Sequence, residues 1–205
     1  MFNGIKNYEN DPIEAMFVRL AEDPDPGKID LGIGVFRDDS GKVPVMRAVR
    51  KAEQQLFARD LPKSYISPLG NQPYCNDLER LALGAEHPVL RNGRIVSAQT
   101  PGAGSALRAG AEFIYSLNPA AALWASRPVW GHQLEFFDKA GLSLCSYRYY
   151  DQPNGVLDFT GMLEDLREMK ENDVLLLHGC CHNPTGQDMT VDQWIELAEI
   201  VNQTG

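Results

Sequence analysis

Residues 121–181 read AALWASRPVWGHQLEFFDKAGLSLCSYRYYDQPNGVLDFTGMLEDLREMKENDVLLLHGCC. The hydrophobic rhythm of this stretch alternates between two periods. AALWAS (121–126), LSLCSYRYY (142–150) and DVLLLHGCC (173–181) are short apolar runs and read as strands. HQLEFFDKAGL (132–142) and FTGMLEDLREM (159–169) space their apolar residues at three and four, as helices do. Working outward, RIVSAQT (94–100) and SALRAGAEFIYSL (105–117) form a preceding strand–helix pair, and TVDQWIELAEIVNQ (190–203) supplies the last helix. Four strand–helix pairs in succession predict an α/β fold: a mainly parallel sheet with right-handed crossovers and helices on both faces. Leu175, Leu176 and Leu177 show no alternation, as expected of a strand covered on both sides. Ligands of such sheets bind beyond the carboxyl ends of the strands. Chemistry is therefore expected in the loops 100–105, 126–132 and 178–187.

The first half is less regular. PIEAMFVRLAE (12–22) reads as a helix with Asp11 as its N-cap and Pro12 in first position. DPDPG (23–27) ends it. IDLGIGVF (29–36) is an extended apolar stretch, DDSGK (38–42) a turn, and 45–59 and 74–84 are helical. The chain has 205 residues, of which 43% are hydrophobic and 23% charged, an ordinary globular composition. A net charge of −9 without a basic cluster argues against nucleic acid as the main partner. MFNGIKNYENDPIEAMF (1–17) has no apolar run behind a basic start, so no secretory signal is expected, and no stretch approaches the length of a membrane span. The cysteines, Cys75, Cys145, Cys180 and Cys181, do not make a disulfide framework. Together these features point to a reducing cytoplasm.

Two loops concentrate the candidates. TPGAGSALR (100–108) passes from a strand through a glycine turn into a helix expected to start near Ser105. Free amides at a helix start bind anions, so Ala103, Gly104 and Ser105 are candidates for a phosphate. The alternative is a glycine turn with Ser105 as an ordinary cap. No Gly-Lys-Ser/Thr follows, which excludes a Walker loop. HGCCHNPTG (178–186) invites a zinc reading, but alternation on a strand sends Cys181 away from His178, Cys180 and His182, and no second ligand cluster exists. No metal site is expected. Asn183 projects at the strand end, where it either bonds a ligand or serves the turn.

HGCCHNPTG, with TPGAGSALRAGAEF, YRYYD, IDLGIGVFRDDSGKVPVM, KSYISPLGNQPY and RPVWGH, closely resembles the aspartate and aromatic amino acid branch of the class I aminotransferases. The motifs run in order from about residue 8 to 205. The resemblance implies the three-layer fold of the large domain of enzymes dependent on pyridoxal 5′-phosphate (PLP). It divides the chain into an N-terminal arm (1–11), part of a small domain (12–43) and the first part of the large domain (44–205). It implies PLP as cofactor, with Gly102, Ala103, Gly104 and Ser105 at its phosphate and Trp130 stacked on its ring. Asn183 would bond its phenolic oxygen and help orient substrate. Tyr65 would reach across a homodimer interface to the partner's phosphate, and Gly34 would lie by the substrate carboxylate. Two positions depart from the family. Gly104 stands where it has Thr or Ser, with the hydroxyl one place later at Ser105. Gln133 stands at its histidine position, with His132 one place early.

The implied reaction moves an amino group from aspartate or an aromatic amino acid to 2-oxoglutarate through a pyridoxamine form of the cofactor. It requires a lysine that bonds the cofactor and carries a proton, a carboxylate at the ring nitrogen and an arginine for the substrate carboxylate. Lys6, Lys28, Lys42, Lys51, Lys63, Lys139 and Lys170 all read as surface residues, so no catalytic lysine is assigned. The sequence is accordingly expected to be the N-terminal part of a longer enzyme and inactive alone, with strand 94–100 lacking a neighbour to pair with. Val35, Arg37, Val43 and Ser64 occupy the variable rim positions and favour neither substrate; GIGVFRDDSGK leans to aspartate. Two other readings stay open: a non-catalytic phosphate-binding remnant or interaction domain, and a nucleotide-binding α/β enzyme.

Overall fold

The computed structural model describes residues 12–30 and 32–204. Asp11, the expected cap, lies outside them. The chain divides into two compact units, Met1–Ser64 and Tyr65–Gly205.

In the first unit, α1 (Pro12–Glu22) has the expected bounds. The Lys28 ammonium donates to the carbonyls of Leu20 and Asp23, tying the 23–27 turn back onto the helix end. Residues 38–42 turn about Asp38, whose carboxylate accepts from the amides of Ser40 and Lys42 and from the Ser40 hydroxyl. Gly41 takes the left-handed conformation this turn requires, φ +74°. Helix α2 (Arg47–Ala58) follows.

The second unit opens with α3 (Gln72–Leu83), which starts two residues before the expected 74 because the Asn71 side chain caps it by accepting from the Tyr74 amide. A single turn, α4 (Pro88–Arg91), was not expected. Then come α5 (Ala103–Leu117), β1 (Ala122–Arg127), α6 (Gly131–Asp138), β2 (Ser143–Arg148), the pair β3 (Tyr150–Asp151) and β4 (Val156–Leu157), α7 (Phe159–Leu166), β5 (Val174–Leu175) and α8 (Val191–Thr204). Helix α6 stops four residues short of the expectation. Gly141, at φ +97°, donates to Asp138, and Leu142 donates to Phe137, so the chain closes the helix and turns into β2. The strand expected at 142–150 divides in the same way: Tyr150 leaves β2 and pairs antiparallel with Leu157 in a hairpin.

The sheet is parallel, in the order β2-β1-β5. Strand β1 sits in the middle and its residues alternate between two cores. Leu123 and Ala125 face Ala111 of α5 and Phe137 of α6. Trp124 faces Tyr147, Met162, Leu163 and Leu166 around α7, and Leu197 of α8. Helices on both faces give three layers, as expected. Burying these side chains is the main driving force, at about 2–3 kcal/mol for each large one.

Residues 94–100 form no strand. Their backbone bonds go to Val89 and Leu69, outside any ladder, and no strand among the described residues lies beside them. A strand without a partner leaves its amides and carbonyls unpaired, so the apolar pattern alone does not make one. Strand β5 is cut from the expected 173–181 to Val174–Leu175 for a related reason. Only β1 pairs with it among the described residues, and after the Leu176 amide bonds Trp124 the chain bends into the 178–187 loop.

Candidate functional site

Helix α5 buries Ala111 against β1 and runs back along it, so its N-terminus stands at the carboxyl ends of the strands. The helix begins at Ala103, not Ser105; its cap is Gly102, without a side-chain bond. The first helical bond runs from Ala106 to the Gly102 carbonyl. The amides of Ala103, Gly104 and Ser105 precede it and have no acceptor among the described residues. Ser105 is thus a first-turn residue with an exposed hydroxyl rather than the cap. Gly104 has a packing reason to lack a side chain: a Cβ there would lie 2.8 Å from Cζ of Phe136 on α6. A Cβ at Gly102 would meet nothing within 4 Å.

Trp130 and Asn183 lie in the other two loops and are joined directly. The Trp130 amide donates to the Asn183 carbonyl over 3.1 Å. Trp130 is half-buried, with His132 edge-on to its ring at 5.8 Å, and Asn183 is exposed. Both loops contain a cis peptide, Arg127–Pro128 and Asn183–Pro184. Tyr65 is fully exposed. Gly34 belongs to the first unit and has open space around its Cα.

Beneath Asn183 lies a polar core that the sequence reading treated only as possible zinc ligands. His182 is 2% exposed. Its Nε2 bonds the Ser126 hydroxyl at 2.8 Å, its Nδ1 the Thr185 hydroxyl at 2.8 Å, and its ring stacks on Tyr149 at 3.8 Å. Burial pushes its pKa down to about 4; the adjacent His178 pushes the same way and Asp188 opposes. His178, 4.7 Å away ring to ring, is also lowered by burial, again opposed by Asp188. Both rings are therefore neutral near pH 7. The Tyr149 hydroxyl donates to the Gln187 carbonyl and Tyr147 to that of Leu176, so two tyrosines of the YRYY run pin both ends of the loop. Asp188 accepts from the amides of Cys181 and His182, which hold its pKa below the usual carboxylate range.

Cys181 sits at φ +54° in a bend, so strand alternation does not decide where its side chain points. Among the described residues no group of three or more His, Cys, Asp or Glu is arranged to hold a metal ion, and none of the cysteines is paired. No helix among them is long and apolar enough to cross a membrane. Two signals in the sequence lead to the buried histidine. Ser126 falls on the same face of β1 as Trp124, and Thr185 follows His182 by three.

The family model for class I and II aminotransferases matches residues 26–205. Aspartate aminotransferase of Salmonella typhi is 40% identical over all 205 residues, and aromatic-amino-acid aminotransferase of Paracoccus denitrificans is 38% identical. The chain spans about half the length of these curated relatives, 52% and 51%. Among solved structures, an aromatic-amino-acid aminotransferase of Burkholderia pseudomallei, covalently bound to pyridoxal phosphate, superimposes with a TM-score of 0.95 at 36% identity. All of this chain and 51% of that one are covered. The cytoplasmic aspartate aminotransferase of Saccharomyces cerevisiae gives 0.91 at 28%, over all of this chain and 50% of that one.

Proposed function

The chain belongs to the class I and II aminotransferases, and from that premise we propose that it builds the phosphate end of a PLP site in an enzyme that transfers amino groups. One observation carries the reading: the open N-terminus of α5, Trp130 and Asn183 all stand at the carboxyl ends of the strands, with Trp130 bonded to Asn183.

The residues present fit the group. Three unbonded amides at the start of a fifteen-residue helix suit a phosphate dianion, and the Ser105 hydroxyl adds a donor. Gly102 leaves room for close approach. Trp130 offers a ring face and Asn183 an exposed carboxamide, which would donate to the cofactor's phenolic oxygen. Bound PLP supplies an electron-withdrawing ring that acidifies the α-hydrogen of an attached amino acid. The chain's own contribution is to hold that ring: the helix start fixes the phosphate, Trp130 excludes water from one face, and Asn183 sets the ring's orientation. No lysine of this chain is given a catalytic role.

Tyr65 is exposed, as a side chain that reaches a second copy in a homodimer must be. Gly34 is assigned to the substrate carboxylate by its motif alone. Relatives named for aspartate and for aromatic amino acids are similarly close, 40% and 38% identical. The GIGVFRDDSGK segment inclines the choice to aspartate, with 2-oxoglutarate as acceptor. A cytoplasmic homodimer completes the proposal.

Titration with PLP, followed by circular dichroism in the cofactor's absorption band, tests it. A saturable induced signal that inorganic phosphate competes away is expected, weakened about tenfold in Asn183→Ala or Trp130→Ala. Folded protein that gives no such signal refutes the reading.

A further inference from the structure

We propose that Gln133 is a positioning residue that acts through His178 on Asn183, by accepting the Nε2 proton of the tautomer in which Nδ1 holds the Asn183 amide. Four hydrogen bonds close a ring across the two loops. The Gln133 amide donates to the Trp130 carbonyl at 3.1 Å, and the Trp130 amide to the Asn183 carbonyl at 3.1 Å. The Asn183 amide donates to Nδ1 of His178 at 3.0 Å. Nε2 of His178 faces the Gln133 carboxamide at 3.4 Å.

The third bond determines the fourth. A backbone N–H can only donate, so Nδ1 of His178 must present its lone pair. The neutral ring then carries its proton on Nε2, and that N–H requires an acceptor. The carboxamide of Gln133 has one, because a half-turn about its last bond exchanges Oε1 with Nε2. Gln133 is 6% exposed, so this bond forms inside the protein and not against solvent. With Nε2–H satisfied by Oε1, His178 keeps Nδ1 free to hold the Asn183 amide. A second proton on the ring would set N–H against N–H and release that amide. The other groups facing His178 are the buried His182 ring and the Asp188 carboxylate. His182 already spends both its nitrogens on Ser126 and Thr185, and Asp188 spends its carboxylate on two amides. Among the described residues Gln133 is therefore the group left to accept the Nε2 proton and so to stabilise this tautomer. Where the resemblance leads one to expect a histidine, this chain carries a side chain that offers an acceptor at every pH.

The functional weight of the ring rests on the proposed role of Asn183 in cofactor binding; its geometry does not. The test uses protein labelled with 15N at histidine. Two-bond proton–nitrogen spectra at neutral pH should show His178 as the Nε2–H tautomer. Gln133→Met keeps the volume and removes the acceptor. It should give His178 a mixture of tautomers and speed hydrogen exchange of the Asn183 amide about tenfold. Gln133→Glu keeps an acceptor and should keep Nε2 of His178 fully protonated, which a loss of packing alone would not reproduce. An Nδ1–H tautomer or an imidazolium in the wild type overturns the proposal. So does Gln133→Met leaving both signals unchanged, or Gln133→Glu behaving as Gln133→Met does. A wild type that shows the expected spectra but binds no PLP sinks the cofactor reading and upholds the positioning role.

Discussion

Removing the buried imidazole of His182 should change how stability depends on pH, and the size of the change follows from its surroundings. The folded protein holds His182 neutral, between the Ser126 and Thr185 hydroxyls and against the Tyr149 ring. Its pKa falls from an ordinary 6.5 to about 4, whereas the unfolded chain keeps the ordinary value. Between these two values the unfolded state binds the extra proton and the folded state does not. The contribution is therefore complete above pH 6.5 and is lost as pH falls toward about 4. At about 1.4 kcal/mol per tenfold in proton affinity, the whole span amounts to about 3 kcal/mol, and roughly 2.5 of this is gone by about pH 4.5. Chemical denaturation of the wild type and of His182→Gln, from about pH 7.5 to about pH 4.5, measures it. His178 has the same sign in the same window and Asp188 acts at lower pH, so the difference between the two proteins isolates His182. The wild type should lead by about 2 kcal/mol at the upper end, reflecting two lost hydrogen bonds, and the two should converge near about pH 5. A difference that stays constant within about 0.5 kcal/mol across the range refutes the reasoning.

Two further perturbations probe the start of α5 and the sheet. Gly104→Ala drives a methyl against Phe136 and should cost about 1 kcal/mol after its helix-propensity gain, while Gly102→Ala should be neutral; Phe136→Leu should rescue Gly104→Ala in a denaturant titration. Asp173 accepts from the Ala122 and Lys170 amides and the Trp124 indole, joining the entrances of β1 and β5. Burial raises its pKa, but those donors outweigh burial and hold it below the ordinary value. Asp173→Ala should lower stability by about 2–3 kcal/mol and alter tryptophan fluorescence.

Periodicity found the elements from α5 onward that pack on the sheet. The LLL run packs partly buried against both cores, the helix at 159 buries Met162, Leu163 and Leu166, and the helix at 190 buries Leu197. It failed at 94–100, where an apolar pattern has no strand beside it among the described residues, since a strand is a relation between two segments. Termini were missed where side chains decide them: Asn71 starts α3 early, and Gly141 ends α6 early. At the candidate site, the loop positions and the glycine turn were legible, and the motifs supplied Trp130 and Asn183. The supporting layer was not. Ser126, Thr185 and Tyr149 come from three segments and meet around His182 only after β1, β2 and the 178–187 loop are in place. Gln133 was seen as a departure from a motif, but its partner was invisible until α6 set it opposite His178.

The turn at Cys181 carries a consequence for charge selection. A left-handed residue whose amide and the next point the same way forms a nest, a concave pair of donors that attracts anions. In this loop Asp188 already occupies the nest, through both oxygens of its carboxylate. The loop therefore presents a filled anion cradle and a fixed negative charge to anything that arrives. A phosphate bound as proposed would take its donors from the open head of α5 and would find this cradle already filled.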